Sequence, residues 1–244
     1  MRGWRPDAGP GLDSVTELLR TCGLSVAGRL PWSSNLTFLV TLEAGGPEPL
    51  HAVYKPARGE RSLWDFPDGL YRREAVAYLV SEALGWGLVP PTVVRSDGPF
   101  GPGSLQLFVD VDYEQHYFTL LDAGGHEEAL RRVCAFDVVA NNADRKSGHV
   151  LEGPDGRLWA IDHGLCFHRQ PKLRTVIWDF ADETVPPSIL ADLTRLTAEL
   201  PSEVDGLLPG AERAAITKRV ERFVDVGVFP EPLGDRPPYP WPLV

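Results

Sequence analysis

"VCAFDVVANNADRKSGHVL", residues 133–151, is an apolar, helix-like run that stops at Asn141 and Asn142 and then delivers Asp144, Arg145, Lys146 and His149 within a few residues. A helix buried along its length that ends in a crowded polar loop is presenting that loop to something. The next segment, "HVLEGPDGRLWAIDHG" (149–164), places two short strand-forming runs around "GPDG", where Pro presets φ and Asp and Gly tolerate the tight bend. Pairing about that turn sets opposite one another residues whose numbers sum to about 310. His149 and Asp162 then meet at the open end of the hairpin, beside the loop that carries Asp144. Two carboxylates and a histidine converging in this way form a divalent-metal and general-base arrangement.

Working outward, "HEEALRRVCAFDVVANN" (126–142) has acidic residues in its first turn and one apolar face, which predicts a helix ending at the two asparagines. Upstream, "SSNLTFLVTLEA" (33–44) and "LHAVYKPARG" (50–59) flank the breaker "GGPEP" and predict a hairpin. "YRREAVAYLVSEALG" (71–85) has helical apolar spacing at Ala75, Val76, Leu79, Val80 and Leu84 and stops at Gly85. "PPTVVRSDGPFGPGSLQLFVDV" (90–111) reads as a second strand pair about a Gly/Pro turn. "DSVTELLRTC" (13–22) reads as a short helix capped by Asp13 or Ser14. Downstream, "PSILADLTRLTAEL" (187–200) and "ERAAITKRVERFVDVG" (212–227) are helical, and the Pro-rich tail "FPEPLGDRPPYPWPLV" (229–244) is irregular, either packed over the surface or disordered. The pattern is α+β in two lobes. A strand-rich lobe spans residues 1–108, a mainly helical lobe spans 109–244, and "QLFVD" (106–110) crosses between them. A cleft between such halves is a natural ligand site.

The bulk properties narrow the function classes. With 244 residues the chain is long enough to bury a sizeable core. Its formal net charge of −10 repels phosphate backbones and, with no concentrated basic patch, argues against a nucleic-acid partner. Cys22, Cys134 and Cys166 are odd in number and widely spaced, which fits neither a disulfide framework nor a zinc site and points to buried thiols in a reducing compartment. No stretch approaches the roughly 18–20 apolar residues of a transmembrane helix, so a cytoplasmic location is expected. Oligomeric state has no signature in the sequence.

Lys55 in "VYKP", Glu74 in the following helix, "ADRKSGH" and "AIDHG" stand in the order and context of the protein-kinase-like fold. The set resembles the branch of the phosphoinositide 3- and 4-kinases and the HipA-type kinases, with their Asp-Arg-x-x-x-Asn catalytic loop and Ile-Asp-x-Gly metal-binding segment, over roughly residues 30–185. The resemblance implies a bilobal protein-kinase-like fold and transfer of the ATP γ-phosphoryl group, with Mg²⁺ or Mn²⁺, to a hydroxyl of an unidentified acceptor, whether inositol lipid, small alcohol or protein Ser or Thr. It also implies roles. Lys55 would hold the α- and β-phosphates and Glu74 would orient it, with Glu82 as a competitor. Asp144 would be the catalytic acid/base with Arg145 fixing its loop, and Asp162 would chelate the metal. Gln106, Leu107, Phe108 and Val109 would form the adenine-holding hinge. Arg169, Lys172 and Arg174 lie where phosphoinositide kinases keep their substrate-reading loop, as possible acceptor-binding residues.

The chain departs from the pattern in two places. His149 stands where the family has Asn as second metal ligand, so either Mn²⁺ is favoured, His149 contacts phosphate, or the second metal site is weak. Asn142 is either a substitute ligand or a C-cap of the helix before it. No Gly-x-Gly-x-x-Gly loop exists in the first half. "GRLPWSSNLTFLV" takes its place, where Ser33, Ser34 and Asn35 offer hydroxyls and N–H groups to phosphate. These departures leave two alternatives open, a nucleotide-binding pseudokinase and an adenylyl transferase on the same scaffold.

Overall fold

The computed structural model describes residues 3–7, 9–31, 35–45, 49–232, 234 and 237–244. The first half holds helix α1 (Leu12–Thr21), strands β1 (Leu24–Arg29), β2 (Phe38–Leu42) and β3 (Leu50–Pro56), helix α2 (Leu70–Ala83), and strands β4 (Thr92–Gly98) and β5 (Gly101–Leu107). The strands form one antiparallel sheet in the order β1-β2-β3-β5-β4. Both expected hairpins are present, β2 with β3 and β4 with β5. The edge strand β1 was not expected, because "LSVAGR" stays largely exposed and has little apolar pattern to betray it. Helix α1 starts at Leu12 with Gly11 as its N-cap and no side-chain cap, so Asp13 lies in the first turn, favourable to the helix dipole, rather than at the cap.

The second half contains β6 (Asp112–His116), α3 (Tyr117–Ala123), α4 (Glu127–Ala140), β7 (Val150–Glu152), β8 (Leu158–Ala160), α5 (Pro187–Ala198) and α6 (Gly210–Val226). Strands β6, β7 and β8 pair in that order. The β7–β8 register is Val150↔Ala160, Leu151↔Trp159 and Glu152↔Leu158, the pairing that the "GPDG" turn dictates. β6 and α3 escaped the sequence reading, since "DYEQH" is polar and mostly exposed and α3 is only two turns long.

The chain holds two large apolar cores, with α2 in the larger. One lies against the five-stranded sheet and includes Val40, Ala52, Tyr54 and Leu105. The other, larger core joins Val76, Ala77, Val80 and Leu84 of α2 to Phe136 of α4, Phe167, Leu193 of α5 and Ile216 of α6. The helix is buried on several sides rather than along the single stripe its spacing suggests. A buried ion pair fastens it further. The Arg73 guanidinium donates to both Glu212 oxygens at 2.9 Å and to the Cys166 carbonyl at 2.6 Å. The halves also interlock through Trp159 of β8, which packs in the sheet core edge-on to Trp4 at 6.4 Å between ring centroids.

The Pro-rich tail packs on the second half. Thr175 N–H and the Trp178 indole N–H donate to the Pro238 carbonyl at 3.0 and 3.2 Å, and Ser147 N–H donates to the Leu243 carbonyl at 2.8 Å. The three cysteines are free thiols, with Cys134 and Cys166 buried and Cys22 partly so. Among the described residues no helix is long and apolar enough to cross a membrane.

Candidate active site

Strand β3 brings Lys55 to the cleft. Its neighbour β5 approaches closely because residue 103 is glycine: a Cβ there would stand 2.5 Å from the Lys55 carbonyl oxygen and 2.6 Å from the Tyr54 ring. From β3 the Lys55 ammonium pairs with Glu74 Oε1 on α2 and donates to Asp162 Oδ1 at 3.0 Å. Glu74 is almost fully buried, and its other oxygen accepts the His163 backbone N–H at 2.9 Å, tying α2 to the segment that carries Asp162. Glu82, the possible competitor, lies under the influence of Arg157 instead. Burial favours a neutral Lys55, but the carboxylates of Asp162 and Glu74 outweigh it and hold the ammonium firmly charged. Lys55 in turn holds the Asp162 carboxyl far below the usual carboxylate range.

Asp162 sits just beyond β8 with φ +59°, a left-handed conformation that Asp tolerates better than most residues. Its side chain is half exposed and faces the cleft. His149 Nε2 lies 3.5 Å from Asp162 Oδ2, so the hairpin does set the two opposite one another. Burial lowers the His149 pKa to about 4, which keeps the ring neutral. The Lys146 N–H donates weakly to His149 Nδ1 at 3.4 Å, which assigns the ring proton to Nε2, facing Asp162. In that tautomer His149 turns its Nε2–H toward the Asp162 carboxylate.

Asp144 lies on the loop after α4, its N–H donating to Asn142 Oδ1 at 3.0 Å and one carboxylate oxygen accepting from Lys146 Nζ at 2.8 Å. Burial pushes its carboxyl up from the ordinary range, against the pull of Lys146. Two expectations change here. Arg145, grouped with Asp144 in the catalytic loop, makes no side-chain bond to Asp144: it is fully buried, with Nε and Nη2 donating to Asp137 of α4 at 2.9–3.0 Å and Nη1 to the Ile161 carbonyl at 2.9 Å. Its Nη2 also contacts His163 Nε2 at 2.8 Å, a donation that leaves the ring proton on the buried, unpartnered Nδ1. Arg145 is a positioning residue that ties the Asp144 loop to the Asp162 segment. Asn142 is also fully buried, bonded to Asp137 and to the Asp144 N–H, and unable to reach a metal in the cleft. Asn141 caps α4, taking a left-handed φ of 51°.

Sequence reasoning missed Asp137, which holds Arg145, Asn142 and Thr175 together from inside an apolar helix. Its signal was a lone carboxylate amid "VCAFDVVA", a group that has to find a buried cation.

The cleft has a volume of about 680 Å³ and gathers Lys55, Glu74, Asp144, His149 and Asp162 with the 106–109 segment. In that segment Gln106 and Leu107 belong to β5, which β3 and β4 flank on both sides. The Phe108 N–H donates to the His51 carbonyl and its own carbonyl accepts from Trp4. Among the described residues the Val109 N–H and carbonyl have no backbone partner, so of the four residues expected to form a hinge Val109 has a free backbone edge. Asn35 lines the cleft, but its side-chain oxygen accepts the Arg61 N–H at 3.0 Å. Ser33 and Ser34 lie outside the described residues. Arg61, which nothing in the sequence singled out, also lines the cleft. Of the three basic residues after Asp162, Lys172 and Arg174 line a second cavity, while Arg169 is exposed and lines neither.

No cluster of three or more His, Cys, Asp or Glu side chains placed to hold a metal exists among the described residues. Of Glu74, Asp144 and Asp162, the first is buried against Lys55 and the second is paired with Lys146, so Asp162, half exposed, is the candidate donor. That suits Mg²⁺ or Mn²⁺ held chiefly by nucleotide oxygens and water, which is how Mg²⁺ is commonly bound beside phosphates.

No family model matches the chain. Protein Rv2133c of Mycobacterium tuberculosis (strain ATCC 25618 / H37Rv) is 42% identical over 257 aligned positions, covering 90% of this chain and 91% of that protein. Phosphatidylinositol 4-kinase gamma 4 of Oryza sativa subsp. japonica is 28% identical over 151 positions, 52% of this chain but 26% of that protein. Among solved structures, the Golgi casein kinase with Mn/ADP bound superposes with a TM-score of 0.57 at 15% identity, covering 96% of this chain and 80% of that one. The Helicobacter pylori proinflammatory kinase CtkA gives 0.51 at 11% identity, covering 86% and 94%. At these identities the likeness is one of fold, and the fold is the bilobal, kinase-like α+β architecture.

Proposed function

Since the chain belongs to the family of the Mycobacterium tuberculosis Protein Rv2133c and has a kinase-like fold, we propose that it is an ATP-dependent phosphotransferase acting on a hydroxyl. The observation that carries the reading is the contact of Lys55 with both Glu74 and Asp162 at the mouth of a cleft that also holds Asp144. A lysine bracketed by two carboxylates, with a third on the facing loop, is the charge pattern that phosphoryl transfer needs for positioning and neutralisation. The partial likeness to the rice phosphatidylinositol 4-kinase supports placing it near the phosphoinositide 3/4-kinase branch. The lobes divide after residue 108.

In this mechanism the Val109 backbone meets the adenine edge. Lys55 neutralises the α- and β-phosphates while Glu74 fixes its position. Asp162 would hold the Mg²⁺ or Mn²⁺, which when bound supplies charge neutralisation at the β- and γ-phosphates. The acceptor hydroxyl oxygen forms a bond to the γ-phosphorus as the bond to the β-bridging oxygen breaks. ADP leaves with that electron pair, and the hydroxyl proton passes to Asp144. His149, as a neutral donor, hydrogen-bonds a phosphate oxygen, and Arg145 keeps Asp144 and Asp162 in register from behind.

The test uses ATP labelled at the γ- or the α-phosphate, with and without Mn²⁺. Metal-dependent release of ADP with the γ-label transferred to acceptor or water supports phosphoryl transfer. Retention of the α-label on protein or acceptor replaces it with adenylyl transfer. Metal-dependent binding with no product of either kind reduces the chain to a nucleotide-binding module.

A further inference from the structure

Residues 3–5 run alongside the segment that joins the two halves of the chain. Trp4 forms a parallel bridge with Val109. Its N–H donates to the Phe108 carbonyl at 2.7 Å, and its carbonyl accepts the Asp110 N–H at 3.0 Å. The Arg5 side chain pairs with the Asp110 carboxylate. Gly3 lets the two backbones touch. A Cβ there would overlap the Asp110 nitrogen and stand 2.5 Å from the Val109 carbonyl oxygen, and backbone cannot yield as the end of a flexible side chain does.

The bridge decides which way Val109 faces. In an extended chain the backbone groups of successive residues turn to alternate edges, and a parallel partner bonds the residues on either side of the one it stands opposite. Leu107 donates its N–H to the Pro91 carbonyl on one edge, while Phe108 and Asp110 are bonded to His51 and Trp4 on the other. Val109 is thereby turned to the edge of Leu107, past the start of β4 at Thr92, where the cleft opens. Its free N–H and carbonyl are the consequence of that pairing.

Trp4 also reaches the second half. Its ring is buried, its indole N–H donates to the Pro10 carbonyl at 3.0 Å, and it stands edge-on to Trp159 of β8, the strand that leads to Asp162. None of Gly3, Trp4 and Arg5 lines the cleft itself.

We propose that residues 3–5 are a latch that positions the Val109 edge from behind and so sets the affinity for the nucleobase of ATP without touching the nucleotide. The proposal rests on the phosphotransferase reading and extends it to positioning residues outside the cleft.

The test measures the Kd of manganese-ATP and of manganese-tripolyphosphate, which lacks the base, for wild type, Gly3→Ala and Arg5→Met, together with the melting temperature of each without ligand. Gly3→Ala should weaken manganese-ATP binding about 10- to 100-fold, as loss of two hydrogen bonds does, and leave manganese-tripolyphosphate binding within about twofold of wild type. Arg5→Met, which removes a partly exposed ion pair, should fold as wild type does and weaken manganese-ATP binding about 2- to 5-fold. Wild-type affinity for manganese-ATP in both variants, or loss of tripolyphosphate in the same proportion as ATP, overturns the latch and leaves the phosphotransferase standing. If Gly3→Ala does not fold, Arg5→Met decides by the same two criteria. Failure of the wild-type protein to bind manganese-ATP removes the reading beneath it.

Discussion

Asp144→Asn is expected to lower kcat by roughly 10²- to 10⁴-fold, the usual contribution of a positioned general base, while metal-dependent ATP binding and the melting temperature stay at wild-type values. The side chain is nearly isosteric, and its one ion pair, with Lys146, lies at the cleft edge, so little of the fold depends on its charge. Burial sets the pH dependence. It raises the Asp144 pKa, with Lys146 pulling the other way, so activity should be full above that raised pKa and fade as pH falls through it. The acid limb of the kcat/KM profile should stand above the ordinary carboxylate value of about 4, and Lys146→Gln should move it higher still. An Asn variant with near-wild-type turnover would remove Asp144 from the chemistry.

Arg145→Met should do the opposite, damaging the fold first. The guanidinium is fully buried and its main partner, Asp137, is left 1% exposed with only Asn142 and Thr175 to satisfy it. Removing one member of a buried, hydrogen-bonded pair costs about 3–5 kcal/mol because the other charge remains in a low dielectric. Against a typical domain stability of roughly 5–15 kcal/mol, that is a large fraction. The denaturant midpoint should fall accordingly, and Arg145→Lys should recover only part of it, since one ammonium cannot reproduce the forked contacts to Asp137 and the Ile161 carbonyl. A variant with wild-type stability but no turnover would instead place Arg145 at the reacting groups.

The contrast between these two neighbours shows where the sequence is transparent. The meeting of His149 and Asp162 was legible because a two-strand pairing about "GPDG" is fixed by turn chemistry, and a register is arithmetic once its turn is known. The Lys55–Glu74 contact was legible only through family resemblance, since 19 positions and a change of element separate them. That Arg145 fixes the loop was legible, but not what it fixes it to, because adjacency to Asp144 says nothing about direction and consecutive loop residues commonly point opposite ways. Its true partner, Asp137, was hidden by the apolar pattern that made α4 easy to recognise. The all-round burial of α2 was equally invisible, because apolar spacing reveals one packed face and Arg73 looks like a solvated residue until Glu212, 139 positions away, is brought against it.

Pinning of α2 to the second half has a functional corollary. Arg73 with Glu212, and Glu74 with the His163 N–H, hold the helix that carries the Lys55 partner in its assembled position. The Lys55–Glu74–Asp162 set is therefore held in place by contacts of the chain itself.

Asp162 and Lys55 together make the proposed metal-dependent nucleotide site. Thermal unfolding of wild type and Asp162→Ala with ATP, each without metal, with Mg²⁺ and with Mn²⁺, tests it most directly. With ATP at a hundredfold its Kd, linkage predicts a stabilisation of about 2.7 kcal/mol, or a shift of roughly 5–10 °C for a chain of this size. That shift is expected in wild type only when metal is present, and none is expected in Asp162→Ala. Equal shifts in the two proteins, or no shift in either under any condition, would contradict it.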